Sequence, residues 1–464
     1  MERFVGLLGI VAFIALALLL SRDRRAIHWR TVGWALVLQW VLAVVVLKGA
    51  VIAPYLAFMA WPVAQIGTTT WDFGWVVLLL LATPALLRRF AKFESKPLSW
   101  TIWGVAAYCA LWGNMVGRTF ERLRGVVQNL MEYASQGAQF VFGSLANPAG
   151  SAGLVFAFVV LPVIIFVASI FAVLYYVGIM QWVVGAMAKA IGRVLKVSGA
   201  ESVAVAASIM MGQTEAPLTV RPFLGRFTRS ELMTIMTAGM AHVSGSIMVA
   251  YVQIAHVDIV HLLTAVIMTA PGAIMMAKIM EPETEHPVTS GDVAVDLPNH
   301  DANVLDAAAR GASEGVQLAI NVAGMLVAFI ALVALLNGLL TGLHPALSLE
   351  SILGTVFKPF AFVMGVPWAE AGTVGQLLGK RMVVNEFVAF IELGKLTDLS
   401  EKAKLISTFA LCGFANFSSI AIQIGGIGAL IPERRGDLAR LGFRAMIAGT
   451  LANFLSACIA GVMG

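Results

Sequence analysis

From Phe4 to Leu20 the chain carries no charged side chain, and after the basic run SRDRR (Ser21 to Arg25) it is apolar again from Val32 to Leu47. The same alternation of apolar runs and short polar links continues to the last residues. Lipid offers no partner to backbone N–H and C=O groups, so only helices and closed barrels cross it. Runs this long, without the two-residue alternation of a barrel strand, predict an all-α integral membrane protein. Composition agrees: 59% of residues are hydrophobic and 12% charged, where a soluble domain is about half apolar and a quarter charged. The 44 glycines and 21 methionines suit close helix packing and adaptable apolar surfaces.

The basic links set the topology. Arg22, Arg24, Arg25 and Arg30 hold the first loop in the cytoplasm and leave the N-terminus outside. The first run lacks a small-residue cleavage site and reads as a retained span. Residues 1–150 form an N-terminal membrane scaffold. It contains an apparent insertion of two spans (71–116) around the basic loop Arg88 to Lys96, and an interfacial helix (117–134). That helix has a stripe of Phe120, Leu123, Val127, Leu130, Met131 and Ala134, with its charges on the other face. Residues 151–280 make one half of a core, 281–310 a polar cytoplasmic loop with three prolines, and 311–464 the other half. Continuous spans are expected near Leu232 to Ile254 and Lys404 to Ile424, and a cytoplasmic interfacial helix over Met187 to Ser198. Both termini then face outward. The net charge of +5 calls for no nucleic-acid partner, because the basic residues fall in loops. Cys109, Cys412 and Cys458 lie in apolar runs and read as buried small residues.

One stretch departs from this pattern. MGQTEAPLTVRPFL (Met211 to Leu224) sets Gln213, Thr214 and Glu215 between Gly212 and Pro217, with apolar chain on both sides. An ionisable side chain at membrane depth is costly and marks function by default. Glycine and proline beside it predict a broken helix, tolerated only where it lines a cavity or is buried in protein. A re-entrant hairpin over 202–227 follows. A second over 374–393 has Asn385 and Glu386 at its centre. Each carboxylate precedes a small polar patch at a similar distance, Ser244 to Ser246 in one half and Asn416 to Ser419 in the other. Paired interrupted segments of this kind surround midplane sites in secondary transporters, often as inverted repeats. The bland alternative, that Asn416 and Ser419 only bond neighbouring helices, is weaker for the two glutamates. Arg221 is the one basic residue in reach along the chain, as a structural partner for Glu215 or a cap of the hairpin.

GQTEAPLTVRPFL (Gly212 to Leu224), VNEFVAF (Val384 to Phe390) and ALCGFANFSSI (Ala410 to Ile420) resemble, in order and separation, the signature of the concentrative nucleoside transporters. FVFG (Phe140 to Gly143) fits the same pattern, and the resemblance runs from there to the C-terminus, more weakly over the first two apolar runs. It implies about ten transmembrane helices with two hairpins and an inverted-repeat transport core. The implied function is symport of nucleosides across the plasma membrane, in a bacterium the inner membrane, by a homotrimer in lipid without a cofactor. By resemblance Glu386, Asn416 and Ser419 bind ribose. Gln213, Thr214 and Glu215 face the base, and Ile247 and Phe414 line its pocket. The family's cation positions fall at Ser208, Met211, His242 and Val243. Sodium-using members carry an asparagine where Ser208 stands and a serine or threonine where His242 stands. An imidazole is a poor ligand for a hard cation, so the coupling ion is expected to be H+ rather than Na+. Backbone carbonyls near Met211 and Val243 keep a sodium site open.

Two other classes compete with this reading. An intramembrane enzyme would use Glu215 and Glu386 as an acid–base pair, but the chain has no HExxH or GxSxG motif. A passive nucleoside channel would not need two ligand-specific hairpins. His242, alone in an apolar run, is in the bland case a satisfied core residue. The tryptophans read as interface anchors.

Overall fold

The computed structural model describes residues 2–48, 115–147, 155–289, 301–345 and 347–464. Every element among them is helical. Six helical stretches among them are long and apolar enough to cross a membrane. The expected insertion 71–116 lies outside the described residues except for its last two. Residues 115–142 form one helix, longer than the 117–134 read from its apolar stripe.

The base of the first hairpin is set by local chemistry. Ile179–Leu195 forms an amphipathic helix that buries Met180, Val184, Ala188, Ile191 and Leu195, and it begins well before the expected Met187. Ser198 then caps Gly199–Ser208, its hydroxyl accepting the Glu201 N–H and donating to Glu231 at 2.5 Å. The helix stops at Ser208. Residues up to Glu215 are irregular, and Ala216–Val220 and Arg221–Leu224 return as short helices with Pro217 and Pro222 in their first turns. Proline has no N–H to leave unbonded at a helix start. The predicted hairpin is therefore present, with its break where Gly212 and Pro217 bracket the polar triplet.

The next segment corrects the sequence reading. Instead of a continuous helix over Leu232 to Ile254, Arg229–Ala241 and Gly245–Ala255 are separated by extended backbone at His242 and Ser244. Lys404 to Ile424 is interrupted in the same way, into Glu401–Leu411 and Phe417–Leu430. Hydropathy sees neither break, because one or two polar residues at each, His242 and Ser244 in the first and Asn416 in the second, hardly lower the mean of a long apolar run. What permits them is tertiary: the Gly245 N–H bonds Met210 O of the first hairpin at 3.0 Å in place of a helical partner.

The second hairpin pairs Trp368–Val383 with Glu386–Lys395, and Asn385 caps the latter by accepting the Val388 N–H at 2.9 Å. Leu349–Val363 precedes it, uninterrupted despite Pro359, and turns by 119° into Trp368–Val383. Gly365 at the corner has φ +102°, a conformation that disfavours any side chain. A hairpin followed by a broken helix thus occurs twice in the described chain. Ile259–Met280 and Arg435–Met463 are the most deeply buried long helices, while Val304–Leu343 is largely exposed and packs along Leu161–Tyr176. The last residues of the expected 281–310 loop belong to that exposed helix, which Asn303 caps.

A cluster of charges closes one end of the core. Glu281, after the helix Ile259–Met280, receives Arg22 and Arg229 at 2.8 Å each and Arg444 at 3.6 Å. Lys278 meets Glu201 at 2.8 Å and Glu283 at 3.4 Å. Buried charges persist only when paired and hydrogen-bonded, and leaving one unpartnered is strongly destabilising.

Candidate functional site

Asn416 opens the helix Phe417–Leu430 as its N-cap. Its Oδ1 accepts the Ser419 N–H at 2.9 Å and the Ser418 hydroxyl at 2.7 Å. An amide so engaged keeps Nδ2 free to donate, and it donates to Glu386 Oε2 at 3.1 Å. Tyr251, in Gly245–Ala255, donates its hydroxyl to Glu386 Oε1 at 3.0 Å and stacks on Phe390 with ring centroids 4.3 Å apart. Glu386 is 4% exposed and Tyr251 fully buried. Each carboxylate oxygen therefore has a donor from a different broken helix, and the acid is held in one orientation.

The polar chain continues across the molecule. Ser419 Oγ accepts from Gln213 Nε2 at 3.1 Å, and Gln213 Oε1 accepts from Gln423 Nε2 at 3.2 Å. Gln423 also donates to Met236 O at 3.1 Å. Glu386, Asn416, Ser419 and Gln213 are thus brought together in one hydrogen-bonded line that joins both hairpin tips. Thr214 packs its methyl over Gly426, where a Cβ would come within 2.6 Å. Ile247 is buried one turn before Tyr251 in the same helix, and Phe414 is half-buried, its N–H bonded to His242 O at 3.3 Å.

Glu215 stands apart from this line. Its carboxylate accepts the Gly212 N–H at 3.2 Å and faces a cavity of about 550 Å³. Met210, Met211, Ser244, Ser246, Tyr175 and Arg310 share that cavity. Arg310 is already held in a two-pronged pair with Asp301, at 2.7 and 2.9 Å, and by Glu314 at 2.8 Å. Among the described residues no ion pair joins Glu215 to Arg221, so that partnership is corrected.

At the base of the first tip, His242 Nδ1 lies 2.8 Å from Ala238 O and 2.8 Å from Ser208 Oγ. The Ser208 hydroxyl donates to Val205 O at 2.8 Å. A carbonyl only accepts, so the proton must sit on Nδ1 and be shared between Ala238 O and Ser208. Two of the four positions singled out for the cation are therefore in direct contact, and Val243, between His242 and Ser244, is fully buried. Met211 lies at the cavity instead.

Comparison with known proteins decides what this arrangement belongs to. Family models described as Na+ dependent nucleoside transporter N-terminus, nucleoside recognition, and Na+ dependent nucleoside transporter C-terminus match residues 8–71, 157–257 and 261–461. An uncharacterized transporter of Haemophilus influenzae is 41% identical in an alignment that spans 100% of this chain and 98% of its own length. The nucleoside permease NupC of Helicobacter pylori is 41% identical over 74% of this chain and 85% of its own. The chain belongs to the concentrative nucleoside transporter family. Within that family, the solved structure of CNTnw in an inward-facing substrate-bound state is 38% identical. It superposes with a TM-score of 0.81, covering 100% of this chain and 98% of that one. As a member of a family of transporters, this protein is not an enzyme.

Sequence reasoning missed four polar residues of this concentrative nucleoside transporter. Tyr251 and Gln423 are lone polar groups in apolar runs, a signal that was available. Arg381 lies inside the second hairpin, 1% exposed, five positions before Glu386, so the expectation that no basic residue shares that segment was wrong. Asn453 is a lone amide in the final apolar run.

Proposed function

We propose that this protein imports nucleosides across the plasma membrane, in a bacterium the inner membrane, by symport with a cation, and that it works as a homotrimer. The observation that carries this reading is the Glu386–Asn416–Ser419–Gln213 line joining both hairpin tips. Ribose hydroxyls need strong acceptors and a matching donor, and a carboxylate with an amide and a hydroxyl supplies both. Glu386, Asn416 and Ser419 take the ribose. Gln213, Thr214 and Glu215 face the base, beside Ile247 and Phe414. The two repeats of hairpin and broken helix, within 151–280 and 311–464, support an inverted-repeat core with 1–150 as scaffold.

For the coupling ion we favour H+. His242 Nδ1–H is spent on Ala238 O and Ser208, so the pair offers little to a hard cation that needs oxygen ligands. Glu215, open to the cavity, is better set than buried His242 to exchange a proton with water. Sodium is the second reading, favoured by the family models' own description. Uridine uptake into proteoliposomes, with an imposed sodium gradient or a pH gradient and with a protonophore, separates the two. Accumulation abolished by the protonophore and indifferent to sodium is expected. Uptake that requires sodium and ignores the protonophore overturns the proton reading, and flux without accumulation would indicate a channel.

A further inference from the structure

Asn453 is fully buried in the helix Arg435–Met463, and its amide nitrogen bonds carbonyls at the breaks of two other helices. Nδ2 donates to Ala241 O at 2.8 Å and to Cys412 O at 3.0 Å, while Oδ1 accepts from Arg381 Nη2 at 2.5 Å. Arg381 Nε donates to Gly413 O at 3.2 Å. In a continuous helix Ala241 O would bond the N–H of residue 245, and Cys412 O that of residue 416. Here the Gly245 N–H goes to Met210 O, and the Asn416 N–H to Phe414 O. The Asn453 amide therefore replaces one helical bond at the break of each broken helix, two in all. Leaving these two buried carbonyls unpaired would be strongly unfavourable.

The approach is too close for side chains. A Cβ on Gly413 would fall 2.4 Å from Asn453 Oδ1 and 2.7 Å from Ala241 O, and one on Gly449 would fall 2.9 Å from Met240 Cβ. Met240, Ala415 and Met446 pack around the junction. Ala241 directly precedes His242 of the Ser208–His242 contact. Cys412 and Gly413 lead to Asn416, and Arg381 stands five positions before Glu386 in the second hairpin.

We propose that Arg381 and Asn453 are a positioning pair that couples cation to nucleoside, by tying the break at His242 to the break at Asn416 and to the tip at Glu386. Neither residue is among those assigned above to the nucleoside. This rests on the function proposed above and names the element through which its two ligands sense each other. A change at the Glu215 tip reaches this break through Met210, which shares the Glu215 cavity and whose carbonyl holds the Gly245 N–H, and so displaces Ala241 O. Asn453 passes that displacement to the Cys412–Gly413 carbonyls, and Arg381 passes it to the hairpin tip. A clamp that served the fold alone would weaken binding equally with and without the cation.

The test is uridine binding to the purified full chain by calorimetry, across a sodium titration at fixed pH and a pH titration without sodium, in wild type, Asn453→Leu, Asn453→Asp and Arg381→Lys. Size-exclusion profiles check that each variant is folded. In wild type the coupling cation should strengthen uridine binding by about 5–150-fold, the usual range for linked sites. In Asn453→Leu that factor should collapse to within about twofold of one, with Arg381→Lys intermediate because one donor survives. If Asn453→Leu does not fold, Asn453→Asp carries the test: it keeps the shape and the Arg381 partner but loses both Nδ2 donors, and its factor should collapse likewise. An unchanged factor in the folded variants, or equal loss of both affinities, overturns the pair while leaving nucleoside transport intact. A wild type that binds no uridine overturns both.

Discussion

The two hairpins carry the same acid in opposite company. Glu386 is buried, with a tyrosine on one oxygen and an asparagine on the other. Glu215 is bonded to the Gly212 N–H and opens onto a cavity. A carboxylate with both oxygens fixed before a ligand arrives presents acceptors at no further ordering cost, the condition for tight and selective recognition. One in an open cavity keeps its water and can change orientation or protonation during a cycle. On the function proposed above, the difference separates recognition from coupling: the held acid takes the sugar, the open one the ion.

The sharpest way to break that contrast is Glu386→Gln. Each charge-assisted bond to a ribose hydroxyl is worth roughly 1.5–3 kcal/mol, so losing two should lower uridine uptake by about 100-fold or more. The new amide would also set an N–H against either Tyr251 or Asn416. Uptake within a fewfold of wild type, in protein shown by size exclusion to be folded, would remove Glu386 from the site. Tyr251→Phe asks whether the fixing itself matters. It removes one donor and leaves the ring stack on Phe390, so the KM for uridine should rise roughly 10-fold with little change in melting temperature. A KM that does not move would mean that Asn416 alone holds the acid. Glu215→Gln should be mildest for affinity, roughly two- to fivefold at saturating cation, because a solvated carboxylate contributes little by direct contact. Its effect should appear as a flattened pH dependence of uptake. If it cost as much as Glu386→Gln, the two tips would not be functionally distinct.

Much of this was legible in the chain. Both hairpins announced themselves through carboxylates beside helix breakers, Glu215 with Gly212 and Pro217, Glu386 with its Asn385 cap. Gln213, Asn416 and Ser419 fell where the motifs put them. The breaks at His242–Ser244 and Cys412–Asn416 were not readable as breaks, because no proline interrupts them and the small polar patches there suit a continuous helix equally well. They exist only because Asn453, distant in sequence, and Met210 supply the missing bonds. The true neighbours of the glutamates escaped for the same reason. Tyr251 lies on a different helix from Glu386, and Arg310 is far along the chain from Glu215.

The charge cluster at Glu281 has a consequence for how the chain is made. Arg444 also donates to Leu20 O, a residue 424 positions away, and to Met280 O. Arg22 emerges from the ribosome with the first span, yet its partner Glu281 follows only after the first hairpin and the helix Ile259–Met280 have been synthesised. The third cation, Arg444, is made 163 residues after Glu281. Until then Glu281 has two arginines rather than three, and a nascent chain stalled before residue 444 lacks that final latch.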